Sequence, residues 1–166
     1  MGSPLGALFA DIFMKELEEN IIPKLKDLKG WIRYVDDTFA FVKPDKIEAI
    51  QGALNSLHEK INFTYESEKD QKLPFLDVLV MRKDNREMET KVYRKETNTD
   101  IYMNWNSHAP QAWKISTLRC LVKRAVLLCS EERYLQEELE HLKKVFSEYN
   151  QYPMNVIRKV IENGHR

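Results

Sequence analysis

The stretch "WIRYVDDTFAFV", Trp31 to Val42, sets two adjacent carboxylates, Asp36 and Asp37, between two apolar runs. Ile32, Tyr34, Phe39 and Phe41 are strand formers, and the stretch stops at Lys43-Pro44. The pattern predicts a hairpin with Val35-Asp36-Asp37-Thr38 at its tip. Aspartate suits such a tip, because it tolerates positive φ and bonds its own backbone. A solvated turn therefore accounts for both carboxylates by itself. Whether they do chemistry depends on what surrounds the hairpin.

Upstream, Ser3-Pro4 is a helix-start signal, a capping hydroxyl followed by proline at the first helical position. Leu5, Leu8, Phe9, Ile12 and Phe13 follow at helical spacing and read as core, on a helix ending near Asn20. Downstream, Asp45 and Glu48 have the spacing of a capping box for a second helix. Its buried stripe is Ile47, Ile50, Leu54, Leu57 and Ile61. Residues 62–66 read as a short strand. "LPFLDVLVMRK" reads as one strand, Asp84-Asn85 as a turn, and "EMETKVYRK" as the returning strand. Past Pro110 the chain is helical. Ile115, Leu118, Val122, Ala125 and Cys129 form one stripe, and Leu135, Leu139, Leu142 and Phe146 a second, on a helix started by Ser130. A last short helix, about 155–163, stops at Gly164. The class is α+β: a sheet-and-helix portion over residues 1–110, then a helical portion over 111–166.

The 166 residues are 43% hydrophobic and 31% charged, which suits an ordinary folded domain. No segment is apolar enough to span a membrane, and no basic leader segment marks a secreted chain. "MGSPLG" fails as a myristoylation signal because its sixth residue is Gly6. Cys120 and Cys129 lie nine apart on one helix, a spacing that makes no disulfide there, so a reducing, intracellular compartment is expected. The net charge of zero conceals an asymmetry. Residues 1–80 carry ten Lys/Arg against fourteen Asp/Glu, and residues 81–166 carry sixteen against twelve. An acidic part followed by a basic part fits a metal site beside a polyanion-binding surface.

Three motifs stand in order: "MGSPLG" opening a helix, "YVDD" at the tip of the next hairpin, and "LPFLDVLV" starting another hairpin before a helical region. This series resembles the C-terminal half of a reverse transcriptase, the back of the palm followed by the thumb. "VYRKETNTDIYMNWNSHAPQAWKISTLRCLVKRAVLLCS" looks most like the Penelope-like retroelement branch. The resemblance covers essentially the whole chain. It implies an RNA-directed DNA polymerase that adds deoxynucleotides to a primer through two metal ions ~3.5–4 Å apart. Asp36 and Asp37 would be the catalytic, metal-holding carboxylates, for Mg²⁺ or Mn²⁺. Gly2, Ser3, Pro4 and Gly6 would line the nascent base pair, and Tyr34 and Val35 would lie beneath the primer end and the incoming nucleotide.

The resemblance also implies an RNA template, a DNA primer and a dNTP as partners, and a nuclear location. Arg82, Lys83, Arg86, Lys91, Arg94 and Lys95 would contact phosphates from the primer-grip hairpin, and Lys114, Arg119, Lys123 and Arg124 from the thumb. Tyr102, Trp105 and Trp113, interleaved with amides, suit stacking on a nucleic acid or an aromatic plug in the core. Reverse transcriptases need a third carboxylate on a strand before the "GSPLG" helix, with the fingers beyond it. The expected chain is thus an incomplete polymerase, inactive alone. The alternative is a non-catalytic remnant that binds nucleic acid without chemistry.

Overall fold

The computed structural model describes residues 5–85 and 87–164. Gly2, Ser3 and Pro4, with the helix-start signal they carry, and Arg86 lie outside the described residues. The chain divides into two compact units, residues 1–67 and 68–166. Residue 110 falls inside the second unit, because the sheet of residues 72–92 packs on the helices that follow it.

In the first unit, helix α1 (Gly6–Ile21) leads to strand β1 (Leu28–Tyr34), strand β2 (Asp37–Val42) and helix α2 (Ile47–Asn55). β1 and β2 form a two-stranded antiparallel sheet. Its register is kinked between Leu28 and Trp31, at Gly30, whose φ is +154°. A Cβ there would lie 2.7 Å from the Phe41 ring, so the bulge demands glycine. Tyr34 pairs with Asp37, which makes the turn Val35-Asp36 and shifts the tip one residue from its expected place. Val35, not an aspartate, takes the positive φ of 57°. Positive φ at only the first turn residue suits glycine, and a β-branched residue is strained there by ~1–2 kcal/mol. Val35→Gly is expected to raise the stability of this unit by about 0.5–1 kcal/mol after glycine's added unfolded-state entropy. A urea melt of the variant against the parent measures it.

Several expectations fail in this unit. The α1 stripe is not core: Leu5, Leu8, Phe9, Ile12 and Phe13 are 40–62% exposed. Three polar ties hold α1 to β1 instead. The Trp31 indole donates to Glu18 at 2.9 Å, and the Arg33 guanidinium donates to Glu18 at 2.6 Å and Asp11 at 2.9 Å. Only Ile50 and Leu54 of α2 are buried, and α2 stops at Asn55 with no side-chain cap from Asp45. Residues 62–66 form no strand. Asn55 accepts the Phe63 N–H at 2.5 Å, and Asn55 and Gln51 both donate to the Phe63 carbonyl, so side chains take the place of a neighbouring strand.

The second unit opens with a three-stranded antiparallel sheet: β3 (Lys72–Phe75), β4 (Val78–Arg82) and β5 (Met88–Val92). "LPFLDVLVMRK" is therefore a hairpin, not one strand. Phe75 pairs with Val78 across a Leu76-Asp77 turn, and Leu76 takes φ 53°. Pro74 sits on the edge strand, where its missing N–H costs no ladder bond. Among the described residues β1-β2 and β3-β4-β5 are separate sheets.

Helices α3 (Gln111–Leu128), α4 (Glu132–Lys144) and α5 (Met154–Gly164) complete the unit. The expected stripes of α3 and α4 are buried here: Leu118, Val122, Ala125, Leu139, Leu142 and Phe146 are 0–2% exposed. They form one cluster with Ile157, Val160 and Ile161 of α5. Gly164 ends α5 directly over the Val122 side chain, leaving no room for a Cβ. Ser130 does not cap α4; its hydroxyl accepts the Thr90 N–H at 2.9 Å and ties the helix start to β5.

Candidate nucleic-acid interface

The segment between β5 and α3 is irregular, as expected, and its aromatics resolve the choice the sequence left open. Tyr102 stacks on Phe146 at 5.2 Å and Trp105 packs on Tyr152 at 5.1 Å, so both are plug rather than platform. Trp113 is 62% exposed. The buried Asn150 staples this segment to the connection between α4 and α5. It accepts the Tyr102 N–H at 2.7 Å and donates to the carbonyls of Asp100 and Val145. The connection winds through a wide helical turn at Val145–Tyr149 and reverses at Gln151, φ 60°. The Tyr152 N–H then bonds the Phe146 carbonyl at 2.8 Å. The three helices are thereby held around one apolar centre, with a fixed turn before the last.

The basic residues expected at phosphates divide sharply. Arg82 is engaged by Glu68 through two hydrogen bonds. Lys83 pairs with Glu89, Lys91 lies 3.9 Å from Glu137, and Arg124 lies 3.1 Å from Asp77. Arg94 forms a bidentate pair with the buried Glu138. Lys114 is buried, and its ammonium donates to the carbonyls of Trp105 and Ser107, both at 2.6 Å. It is a structural clamp, not a phosphate contact. Lys95, Arg119 and Lys123 are exposed and form no ion pair among the described residues. Helix α3 carries four Lys/Arg and no Asp/Glu. With Lys114 and Arg124 occupied, its outward charge rests on Arg119 and Lys123, four residues apart on one face.

Helix α5 supplies a group that the sequence reading passed over. Asn155, Arg158, Lys159 and Glu162 are all exposed. Their spacing puts them on one face, opposite the buried Ile157, Val160 and Ile161. Neither Arg158 nor Lys159 forms an ion pair among the described residues. The signal was legible: two adjacent cations sit out of phase with the apolar stripe.

Glu89 shows how the remaining charges serve the fold. It is 5% exposed and receives Arg133 at 2.8 and 2.9 Å and the Tyr134 hydroxyl at 2.8 Å, besides Lys83. The hydrogen bond from Lys83 chiefly holds its carboxyl below the usual glutamate range, against the opposing effect of burial. Tyr134 is pushed up in turn, first by its bond to Glu89. A lowered folded-state value stabilises the protein above the unfolded glutamate value of ~4.3. That contribution is lost as pH falls through the folded value. Glu89→Gln is expected to lower the melting temperature at pH 7 and to flatten its fall between about pH 5 and 3. Thermal melts at both ends of that window measure it.

At the first hairpin, Asp36 and Asp37 are exposed, as are Tyr34 and Val35. Among the described residues no group of three or more His, Cys, Asp or Glu is placed to hold a metal. Two solvated carboxylates on adjacent residues do not by themselves make a two-metal centre. Gly6 begins α1, and a Cβ built on it meets none of the described residues within 4 Å. No described helix is long and apolar enough to cross a membrane.

The family model of the animal helix-turn-helix domain matches residues 101–162. No curated protein and no solved structure matches the chain. The match covers the Asn150-stapled segment, α3, α4 and nearly all of α5. It falls on the region that the reverse-transcriptase resemblance assigned to a thumb, and helix-turn-helix domains are DNA-binding modules. The resemblance to a reverse transcriptase is corrected accordingly, and with it the reading of the chain as a polymerase fragment. What the match supports is binding to nucleic acid.

Proposed function

We propose that the helical part of the second unit binds duplex DNA without catalysing a reaction on it, with α5 as the helix presented to the groove. The observation that carries this reading is the free polar face of α5, Asn155, Arg158, Lys159 and Glu162, on the last helix of the segment matched by the helix-turn-helix model. Helix-turn-helix proteins place such a helix in the major groove, where arginine and asparagine read base edges and lysine meets phosphate. The buried face of α5 is fixed by the core, which pre-orients the exposed one. The connection from Val145 to Pro153 is longer than the three or four residues of the minimal motif. Its helical winding and the Asn150 staple give it a defined course nonetheless. Arg119 and Lys123 on α3 supply a second pair of unneutralised cations for backbone phosphates. A duplex-DNA partner accords with a nuclear location.

The double variant Arg158→Ala plus Lys159→Ala tests this. Both side chains are exposed, so the fold is unaffected. Binding to a 20-bp duplex in 0.1 M salt is expected to weaken about tenfold or more, read by fluorescence anisotropy. Unchanged affinity would remove α5 from the interface.

A further inference from the structure

A cleft of about 290 Å³ opens in the second unit beside the β3–β4 hairpin tip, lined among others by Asp77, Tyr93, Arg94, Lys95, Tyr102 and Arg124. Three of these six are cations, and they differ in what engages them. Lys95 is exposed and unpaired among the described residues. Arg124 meets only the Asp77 carboxylate, at 3.1 Å through one terminal nitrogen. Arg94 gives its terminal nitrogens to Glu138. The Nε atoms of Arg94 and Arg124 are both buried and neither has a hydrogen-bond acceptor among the described residues. The Asp100 carboxylate is 3.6 Å from Arg94 Nε, an ion-pair distance beyond hydrogen-bond reach. Among the described residues only four buried side-chain polar atoms are unsatisfied, and two of them belong to guanidinium groups lining this one cleft.

Buried donors without acceptors are rare because each forfeits its hydrogen bonds to water without replacement. The buried Nε atoms themselves lie out of a ligand's reach. What the opening presents is the free ammonium of Lys95 and the Arg124 terminal nitrogen held by one exposed carboxylate, and these suit a ligand rich in acceptors and negative charge. A phosphate ester meets that need, and guanidinium groups engage its oxygens with several donors at once. Tyr93 at the same cleft offers flat, partly apolar surface for the remainder of a nucleotide. The volume suits a group of that size, at the small end of ligand sites.

Asp77 completes the arrangement. Its carboxylate is 64% exposed while its backbone is fixed: the Tyr93 N–H donates to the Asp77 carbonyl at 2.8 Å. It sits at the hairpin tip, following Leu76 in its positive-φ conformation. A carboxylate so placed occupies Arg124 in the way a phosphate oxygen would.

We propose that this cleft is a binding site for the phosphate of a nucleotide unit, with Lys95 and Arg124 as its cations and Asp77 as a built-in competitor that the phosphate displaces. The proposal rests on the nucleic-acid reading only for its choice of nucleotide probes. The phosphate can come from a strand end or from a free nucleotide, and the test separates the two.

The experiment titrates the ¹⁵N-labelled full chain with sodium pyrophosphate, with dAMP, and with a 12-nucleotide single strand carrying or lacking a 5′-phosphate. Amide shifts of residues 76–77, 93–98 and 124 are followed. The expected result is saturable shifts with pyrophosphate, tightened about threefold or more in Asp77→Asn and weakened as much in Lys95→Ala, both exposed positions. Shifts with dAMP as well identify a mononucleotide site. Shifts with the strand only when it bears a 5′-phosphate, and none with dAMP, identify a strand-end site. The Arg158→Ala plus Lys159→Ala variant should leave the pyrophosphate titration unchanged, so the cleft and the α5 interface stand or fall separately. No shifts at these amides up to 10 mM (about the weakest useful phosphate affinity), or shifts identical in Asp77→Asn and Lys95→Ala, would overturn the proposal.

Discussion

Phe146→Ala is expected to destabilise the second unit by about 3–5 kcal/mol, the largest single effect the structure predicts for a side chain in its core. Phe146 has no exposed surface. Its ring stacks on Tyr102 at 5.2 Å and meets Tyr152 edge-on at 4.8 Å. Those neighbours come from the segment before α3 and from the entry to α5, so one ring closes three parts of the chain on each other. Truncation forfeits the transfer free energy of the ring and leaves a cavity its rigid neighbours cannot fill. Against a total stability of order 5–15 kcal/mol, such a loss moves the unfolding midpoint by about 2 M urea. A urea melt followed by far-UV circular dichroism measures it. A loss under about 1 kcal/mol would mean that Phe146 is not the keystone drawn here.

Glu138→Ala should cost nearly as much, about 3–5 kcal/mol, for a different reason. Glu138 is buried, and both its oxygens accept from Arg94, one at 2.7 Å. Removing the carboxylate leaves a largely buried guanidinium without its bidentate partner, with only Asp100, 3.6 Å away, to offset its charge, and this loss of compensation dominates the penalty. The control is the double replacement Arg94→Met plus Glu138→Leu, which removes both charges and keeps the volume. It is expected to recover most of the loss, because a buried ion pair gains little over well-packed apolar groups. If the double variant is as unstable as Glu138→Ala, packing rather than charge accounts for the site. Chemical denaturation of the three proteins completes the cycle.

The helices of the second unit were legible in the sequence because their apolar residues repeat at helical spacing and face one centre. Leu118, Val122, Leu139, Leu142 and Phe146 sit where that period puts them. The same rule misled at α1, where Leu5, Leu8, Phe9, Ile12 and Phe13 keep the period but stay exposed. Periodicity reports amphipathicity, not the presence of a partner. The two hairpin tips were misread for a shared physical reason. Val35 and Leu76 occupy positive φ, a conformation their side chains disfavour and whose usual signal is glycine. Hence the first tip was placed one residue late, and "LPFLDVLV" was read straight through its turn.

The expected interface was half legible. Basic residues could be counted, but not which were neutralised. Arg82, Lys83, Lys91, Arg94 and Arg124 have acidic partners from 14 to 47 residues away, save the nearer Lys83–Glu89 pair. Lys114, on a helix face that seemed outward, is turned under Trp105. What remains free, Lys95, Arg119 and Lys123, is a remnant of the original set. Arg158 and Lys159 lie on α5, past the last of the three ordered motifs, and only their phase against the buried Ile157, Val160 and Ile161 marks them as an outward pair.

The most direct test of the account is the salt dependence of duplex binding by the intact chain. A 20-bp DNA duplex is titrated at salt concentrations from about 50 to 200 mM, and log K is plotted against log[salt]. If Lys159 alone engages a phosphate, the slope should be about −1; with Arg119 and Lys123 added it should approach about −3. Absence of saturable binding, or a slope near zero, would contradict the assignment of the helical unit to nucleic acid.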